Sequence, residues 1–203
     1  MERTGHDPLA LTRVPAKAAA EIAALAALGQ GALALLTPEQ SPREYAEALL
    51  RAELYPDAIR LLAFGLPRRE AIWWAGLFVL WSGAGHLHAA DASALRAVAR
   101  WVVEPNEDHR QEAAACASKE TPAGRVARAV ARTGGSLRGP SLPAKAPGPD
   151  LPPKAVVSAV TLAVLRGEAK TIRQRQRQAV ALGLHVARGH FLWTVTPPAP
   201  TRR

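Results

Sequence analysis

The histidines and carboxylates near the middle of the chain are the side chains best suited to hold a metal ion. His86, His88 and Asp91 form a His-x-His-x-x-Asp pattern. Further potential ligands downstream are Glu104, Asp108 and His109. Imidazole and carboxylate groups suit Zn²⁺ or a redox metal. However, the two histidines lie beside Gly85 in a predicted loop, and no i, i+4 pair fixes them on a helix. Solvent-facing loop histidines are the favoured interpretation, so we expect no metal or cofactor.

Nucleophilic catalysis has little support in the sequence. The single cysteine, Cys116, has Arg110 and Lys119 nearby, and positive charge can lower the pKa of a thiol. Cys116 also lies in an Ala-rich run, where a buried, small apolar residue is more common. The Gly-rich stretches at 83–85 and 134–136 lack the Lys-Ser/Thr ending of a phosphate loop. We therefore expect no catalytic residues.

Arg68 and Arg69 are the first candidates for binding. They open the most apolar helix of the chain, where positive charge opposes the helix dipole and requires compensation. One interpretation is a cationic pair offered to an acidic ligand. The favoured one is a set of ion pairs with Glu44, Glu47 or Asp57 that pins neighbouring helices together.

Lys170, Arg173 and Arg177 are the second set of binding candidates. At about 100° per residue they share one side of a predicted helix. No aromatic residues interleave with them, so stacking on nucleic-acid bases is not indicated. A solvated outer face is favoured over a stripe that binds polyanions such as nucleic acid.

The charge of the chain is unevenly distributed. The net charge is +9 over 203 residues. Residues 1–118 hold 11 Lys and Arg against 14 Asp and Glu, whereas residues 119–203 hold 15 against 3. The basic excess therefore belongs to the C-terminal part, as would suit an acidic partner. A single cysteine excludes an internal disulfide and fits a reducing cytoplasm, so we expect a cytoplasmic protein.

The elements that must position these residues are helices. Alanine dominates the apolar fraction, and β-branched and aromatic residues are sparse, which favours helix over strand. The chain is organised around 54–81, whose last eleven residues carry no charge. This segment is predicted to form a helix that is apolar on every side, and such a helix must be enclosed by other elements. At roughly 22 Å, the helix predicted at 67–81 is too short for a comfortable membrane span. The predicted core residues are Trp73, Trp74, Phe78, Trp81 and Trp101.

Helix starts and breaks divide the rest of the chain. Thr37-Pro38, Ser41-Pro42 and Thr121-Pro122 each place a hydroxyl cap before a proline at the first helical position. Residues 16–36 are predicted to form one helix with an apolar face, with a targeting segment as the alternative. Two more helices are predicted at 154–165 and 168–188.

The sequence thus predicts an all-α fold, an irregular bundle of stacked antiparallel hairpins around the Trp-rich helix. The expected organisation is a flexible tail at 1–15 and a helical core at 16–133. A Pro/Gly-rich loop at 134–153 precedes a helical pair at 154–193, which packs on the core. A flexible basic tail at 194–203 follows.

Several motifs resemble those of an uncharacterised bacterial family. Its core pattern, Y-x-DA followed by LP-x-REA-x-WWA, matches Tyr55-Pro56-Asp57-Ala58 and Leu66-Pro67-Arg68-Arg69-Glu70-Ala71-Ile72-Trp73-Trp74-Ala75. The similarity covers roughly residues 38–190. The resemblance implies an all-helical bacterial protein with a long loop before its last two helices. It implies no known enzyme activity, cofactor or site residue, and it hints at genes near secretion systems or signalling adaptors.

The functional expectation is a non-catalytic helical scaffold or adaptor that binds a protein partner, with a link to a secretion or signalling system. The alternative is a polyanion-binding module in the basic C-terminal part. A metal-dependent enzyme using the region around His86 is the least favoured hypothesis.

Overall fold

The structure of the protein is a computed structural model, and it describes residues 10–83, 87–137 and 143–193. These residues form α-helices without any strand, which confirms the predicted all-α class. In chain order the helices are α1 Ala19–Ala26, α2 Gln30–Leu33, α3 Pro42–Arg51, α4 Tyr55–Gly65, α5 Arg68–Ser82, α6 Ala89–Val103, α7 Glu107–Ala115, α8 Pro122–Ala131, α9 Leu151–Leu165 and α10 Ile172–Ala187. A short 3₁₀ helix, Ala169–Thr171, leads into α10. Among the described helices, none has the length and apolarity to cross a membrane.

Polar side chains begin several of these helices. Ser41 caps α3 in a capping box, because its hydroxyl accepts the Glu44 N–H while Glu44 accepts the Ser41 N–H at 2.9 Å. The hydrogen bonds from Ser41 lower the pKa of the Glu44 carboxyl. Thr121 and Asn106 cap α8 and α7 in the same way, each accepting a backbone N–H three residues on. These caps fix where each chain segment enters its helix.

The first helical segment differs from the prediction. The single helix expected at 16–36 is wrong, because the chain breaks after α1 at Ala27, which has a left-handed φ of 48°. Beyond the break, the Gly29 N–H donates to the carboxylate of Asp57 at 2.8 Å, which ties this linker to α4. Thr37-Pro38 opens a turn rather than a helix.

Helix α5 lies at the centre of the bundle and packs against α6, α8, α9 and α10. Trp74 is fully buried on it, and Phe78 is 1% exposed. The indole N–H of Trp74 donates to the Ala179 carbonyl of α10 at 2.9 Å, so its polar group stays satisfied inside the core. Trp101 of α6 is also buried. These side chains occupy the core as the sequence predicts.

The last turn of α5 is not enclosed, so the predicted burial of Trp81 is wrong. The side chain of Trp81 is 54% exposed and that of Leu80 is 50% exposed. Trp73 is partly buried. The α10 residues that line the same groove include Ala181, whose methyl group is too small to cover an indole ring. The predicted burial of the α5 side chains is therefore correct for the first part of the apolar run and, at its end, for one side of the helix only.

A glycine allows α10 to approach α5 and α4 closely. A Cβ atom on Gly183 would lie 2.8 Å from a ring carbon of Trp74 and 2.8 Å from a methyl group of Leu62. Gly183 follows Ala179 by one helical turn, so it lies beside the carbonyl that binds the Trp74 indole. The absent side chain lets the indole ring approach the backbone of α10 closely.

The chain ends are partly tied to the body. Residues 1–9 and 194–203 of the two predicted tails lie outside the described residues. The backbone N–H of Arg13 donates to the Ala187 carbonyl of α10 at 2.9 Å, so this part of the predicted N-terminal tail lies on the bundle. The long loop predicted before the last two helices connects α8 to α9, and α9 begins at Leu151, three residues earlier than predicted.

We expect Trp74→Ala to lower the free energy of unfolding by about 3–5 kcal/mol, because it leaves a cavity in the core. Trp81→Ala removes the same side chain from a half-exposed site and should cost about 1 kcal/mol or less. Chemical denaturation of both variants measures the difference. Equal losses would show that the two tryptophans are equally buried, contrary to the structure.

Two glycines in the helices give a second matched pair. Gly183→Ala should lower the free energy of unfolding by about 1–3 kcal/mol, since the added methyl group overlaps Trp74 and Leu62. A Cβ atom on Gly76 of α5 meets its nearest neighbour, a Val98 methyl group, at 3.8 Å. Gly76→Ala should therefore raise stability by about 0.5–1 kcal/mol through helix propensity. A stabilising Gly183→Ala would contradict the close packing of α10.

Candidate functional site

An apolar groove runs between the last turns of α5 and the second half of α10. Its volume is about 870 Å³, and its surface is almost wholly apolar. The lining residues are Leu77, Leu80, Trp81, Leu87, Gln178, Ala181, Leu182, His185 and Phe191. We call this the α5–α10 groove. The groove brings together three large apolar side chains that the structure leaves exposed, Leu80, Trp81 and Phe191, and such a grouping is a candidate binding surface.

Helical spacing builds both walls of the groove. Leu77, Leu80 and Trp81 stand at i, i+3 and i+4 on α5, so they project from one side of that helix. On α10, Gln178, Ala181, Leu182 and His185 occupy i, i+3, i+4 and i+7. The opposite side of α10 is anchored in the core at Ala179 and Gly183. Each helix thus turns one side toward the core and leaves another for the groove.

The segment after α10 returns across the start of α5. The indole N–H of Trp73 donates to the Phe191 carbonyl at 2.6 Å, and the rings of Trp73 and Trp193 meet edge to face with centroids 6.3 Å apart. The guanidinium group of Arg69 lies 4.1 Å from the centre of the Trp193 ring, at cation–π distance. The chain after α10 is therefore held on α5, and it closes one end of the groove.

Phe191 combines an unusual backbone with an exposed ring. Its φ is 55°, in the left-handed region that favours glycine, and its side chain is 61% exposed. The ring lies 5.5 Å from the ring of His185, across the groove wall. A bulky residue in this conformation costs free energy, and such strain is concentrated at binding and switch sites. The strained turn presents an aromatic ring at the mouth of the groove.

The predicted ion pairs of Arg68 and Arg69 are wrong. The guanidinium group of Arg69 donates to the carbonyl oxygens of Val102 and Val103, which are the last residues of α6. Those carbonyls lack helical partners and attract positive charge, so they compete successfully with the carboxylates. The expected partners Glu47 and Asp57 pair with Arg43 and Arg60, and Glu44 bonds Ser41. Arg69 is therefore a structural residue that joins α5 to α6, while Arg68 is exposed.

The three predicted binding residues at the start of α10 differ in their surroundings. Lys170 pairs with Glu168 at 2.9 Å, and Arg173 forms an ion pair with Glu53. Arg177 is exposed and forms no ion pair with any residue in the described part of the chain. It precedes Ala181 by one turn, so it lies at the edge of the groove. The structure therefore leaves one cation of the stripe beside the groove rather than three along a line.

The predicted metal candidates are only partly described. His86 lies outside the described residues. His88 is exposed just before α6, and Asp91 is buried in the first turn of α6, with an Arg166 nitrogen 3.9 Å from its carboxylate. His109 lies apart from them, its Nδ1 2.9 Å from the Glu104 carbonyl oxygen. Within 10–83, 87–137 and 143–193, no group of three or more His, Cys, Asp or Glu side chains could hold a metal ion.

Cys116 follows α7 directly and is partly buried. Arg110, which the sequence places near it, turns elsewhere. Its guanidinium group binds Glu107 at 2.6 Å and donates to the Ala131 carbonyl at 2.9 Å. The hydrogen bond to Glu107, with a second from Gln111, lowers the pKa of the Glu107 carboxyl to about 2. Arg110 thus joins α7 to the end of α8.

Sequence reasoning missed Leu80, Trp81 and Phe191 as site residues. It treated the α5 residues as core because a continuous apolar run gives no sign of which side stays open. For the end of the chain it predicted that the apolar segment 191–193 docks on the core. Trp193 does so, whereas Phe191 points to solvent. The sequence did contain one sign of a turn at this point. Gly189 lies two residues before Phe191, and its φ of 89° belongs to the region that favours glycine.

Comparison with known proteins gives a family and no relative of known activity. The sequence model of DUF6931, a family of unknown function, matches residues 45–187. The match spans both walls of the α5–α10 groove and ends before Phe191. No curated protein and no solved structure matches the chain. Because the matched region covers more than two thirds of the sequence, the chain belongs to DUF6931, a family of unknown function.

Proposed function

We propose that this protein is a non-catalytic adaptor that binds a helix of a partner protein in the α5–α10 groove. The observation that carries the proposal is the exposed, almost wholly apolar groove with Leu80, Trp81 and Phe191 at its surface. Burying such side chains gives association its main driving force, and aromatic residues are enriched among those that dominate binding energy.

The shape of the groove favours a helix as the occupant. Its walls are two helices, and its α10 wall from Gln178 to His185 is about 10 Å long, which matches two turns of an α-helix. Helix-in-groove recognition uses apolar anchors at i, i+3, i+4 and i+7 of the incoming helix. Leu77 and Leu182 form apolar walls, and Trp81 and Phe191 offer flat rings against which such anchors can pack.

The charge beside the groove favours a partner of opposite charge. Arg177 lies at its edge, one helical turn before Ala181, without an ion pair among the described residues. A partner helix with acidic residues flanking its apolar side would complement this edge. Electrostatic complementarity of this kind mainly governs partner selection and the association rate.

Two other occupants are less well suited to the groove, and both are outcomes of the test. The chain's own residues 194–203 come after the groove residues in sequence, but they include three prolines, which disfavour a helix. A second copy of the protein would place two basic α10 helices near each other, and their charges would repel. A cytoplasmic location and a link to a secretion or signalling system stay predictions from the sequence.

We expect a photo-crosslinking amino acid in place of Ala181 to capture a partner in cells that carry the native gene. Ala181 is exposed on the groove wall, so a bulky replacement does not disturb the core. Mass spectrometry of the crosslinked peptide should identify an amphipathic helical segment with acidic flanks. The same amino acid in place of Ala115, which is exposed on α7, should not capture that peptide.

The crosslink should disappear when Leu80→Gln and Trp81→Gln are combined, because these changes make the groove polar at exposed sites and leave the core intact. Purified variant and native protein should unfold at similar temperatures. A crosslink within the chain to 194–203, a crosslink to a second copy, or an unchanged crosslink in the Gln variant would each refute the adaptor proposal.

A further inference from the structure

A cationic cleft lies between α8 and α9 and shares no lining residue with the α5–α10 groove. Its volume is about 310 Å³. The polar residues that line it are Lys119, Arg125, Arg128, Arg132, Lys154 and Ser158. We call it the α8–α9 cleft. It contains none of the basic residues that the sequence pointed to on α10.

The fold brings these cations together from two helices. Arg125, Arg128 and Arg132 stand at i, i+3 and i+7, which places them on one side of α8. Helix α9 runs antiparallel to α8. The start of α9, with Lys154, then faces the end of α8, and Ser158 faces Arg125. The positive charge therefore converges on a recess.

Arg125 is already fixed in a defined position. Its Nε donates to the Lys119 carbonyl at 2.7 Å, and its Nη1 donates to the hydroxyl of Ser158. A guanidinium group held in this way loses little conformational freedom on binding, and its Nη2, which donates to no residue that the structure describes, is left for a phosphoryl oxygen. The hydroxyl of Ser158 adds a further polar group to the wall of the cleft.

The charge in the cleft is not balanced from within the protein. Asp150 is bound to Lys154 at 2.5 Å, and its negative charge also acts on Arg132. Arg128 and Arg132 form no side-chain hydrogen bond or ion pair with any residue that the structure describes. Burial lowers the pKa of Arg132, and the neighbouring charge of Arg128 lowers it further, against the opposing pull of Asp150. Like charges held this close destabilise the helix unless an anion separates them.

We propose that the α8–α9 cleft binds a compact anion that carries two adjacent phosphoryl groups, as in a diphosphate ester. Five cations line the cleft and one carboxylate offsets them, which leaves an excess of about four positive charges. A phosphoryl group carries about −1.5 to −2 charges at neutral pH, so two of them match this excess. The cleft is at the lower end of the range for small-ligand pockets, which suits a compact ligand. This assignment is independent of the adaptor proposal.

Inorganic pyrophosphate is the probe that tests the assignment, with binding to the full chain measured by titration calorimetry at low salt. We expect pyrophosphate to bind more tightly than orthophosphate, because the second phosphoryl group reaches further cations. Combining Arg128→Gln and Arg132→Gln should weaken pyrophosphate binding at least about tenfold, through the loss of charge-assisted hydrogen bonds. Lys119→Gln, at an exposed position, should weaken it several-fold.

The matched control combines Arg51→Gln and Arg96→Gln, which removes the same charge from exposed positions on α3 and α6. Its affinity for pyrophosphate should stay within about twofold of the native chain. Thermal unfolding checks that each variant folds. The Arg128 and Arg132 variant should unfold at no lower temperature than the native chain, since it relieves a repulsion.

Several results would overturn the proposal. These are no pyrophosphate binding to the native chain, equal affinity for orthophosphate, or an equal loss in the cleft variant and the control. A duplex oligonucleotide that binds tightly and is not displaced by pyrophosphate would assign the charge to an extended nucleic-acid surface. Such binding would fall steeply with salt. Displacement of the oligonucleotide by pyrophosphate would support the cleft.

Discussion

The packing of Trp74 against α10 is the interaction on which the rest of the structure depends. Its indole is fully buried and satisfied by the Ala179 carbonyl, and Gly183 removes the side chain that would hold α10 away. Because one ring unites apolar burial with a hydrogen bond, α5 and α10 are fixed in both distance and rotation. The rotation of α10 about its axis determines which of its residues do not face the core. Gln178 and His185, on another side of the helix, line the groove as a direct consequence.

The end of α5 is apolar on both sides, but only its inner side is buried. Phe78 is buried, yet Trp81, one turn later, is half exposed, although their rings are 6.1 Å apart. Burying the outer side as well would require a larger neighbour than Ala181 on α10. The inner side of this end of α5 already contributes Phe78 and Val79 to the core. The apolar residues left at the surface are those that the proposed partner helix would cover.

The sequence was most informative where local chemistry determines structure. The caps at Ser41 and Thr121 and the buried position of Trp74 follow from short-range patterns. Prediction from the sequence failed where the position of a side chain depends on which helices pack against each other. A continuous apolar run does not say that Trp81 faces solvent, and Arg69 could not be assigned to the end of α6 because its acceptors there, Val102 and Val103, lie 33 and 34 residues away. The groove and the cleft, which form between distant helices, could not be predicted for the same reason.

The basic excess of the C-terminal part becomes meaningful only after its cations are sorted by their partners. Some satisfy backbone carbonyls, as Arg175 does with Ala163 at 2.8 Å. Others are neutralised, as Arg173 is by Glu53. Arg128 and Arg132 belong to neither group within the described residues, and they lie together in a recess. Net charge counts all of these cations equally, whereas an anion is attracted by those that remain uncompensated. The distribution of acids, more than that of bases, therefore determines where a basic protein can bind.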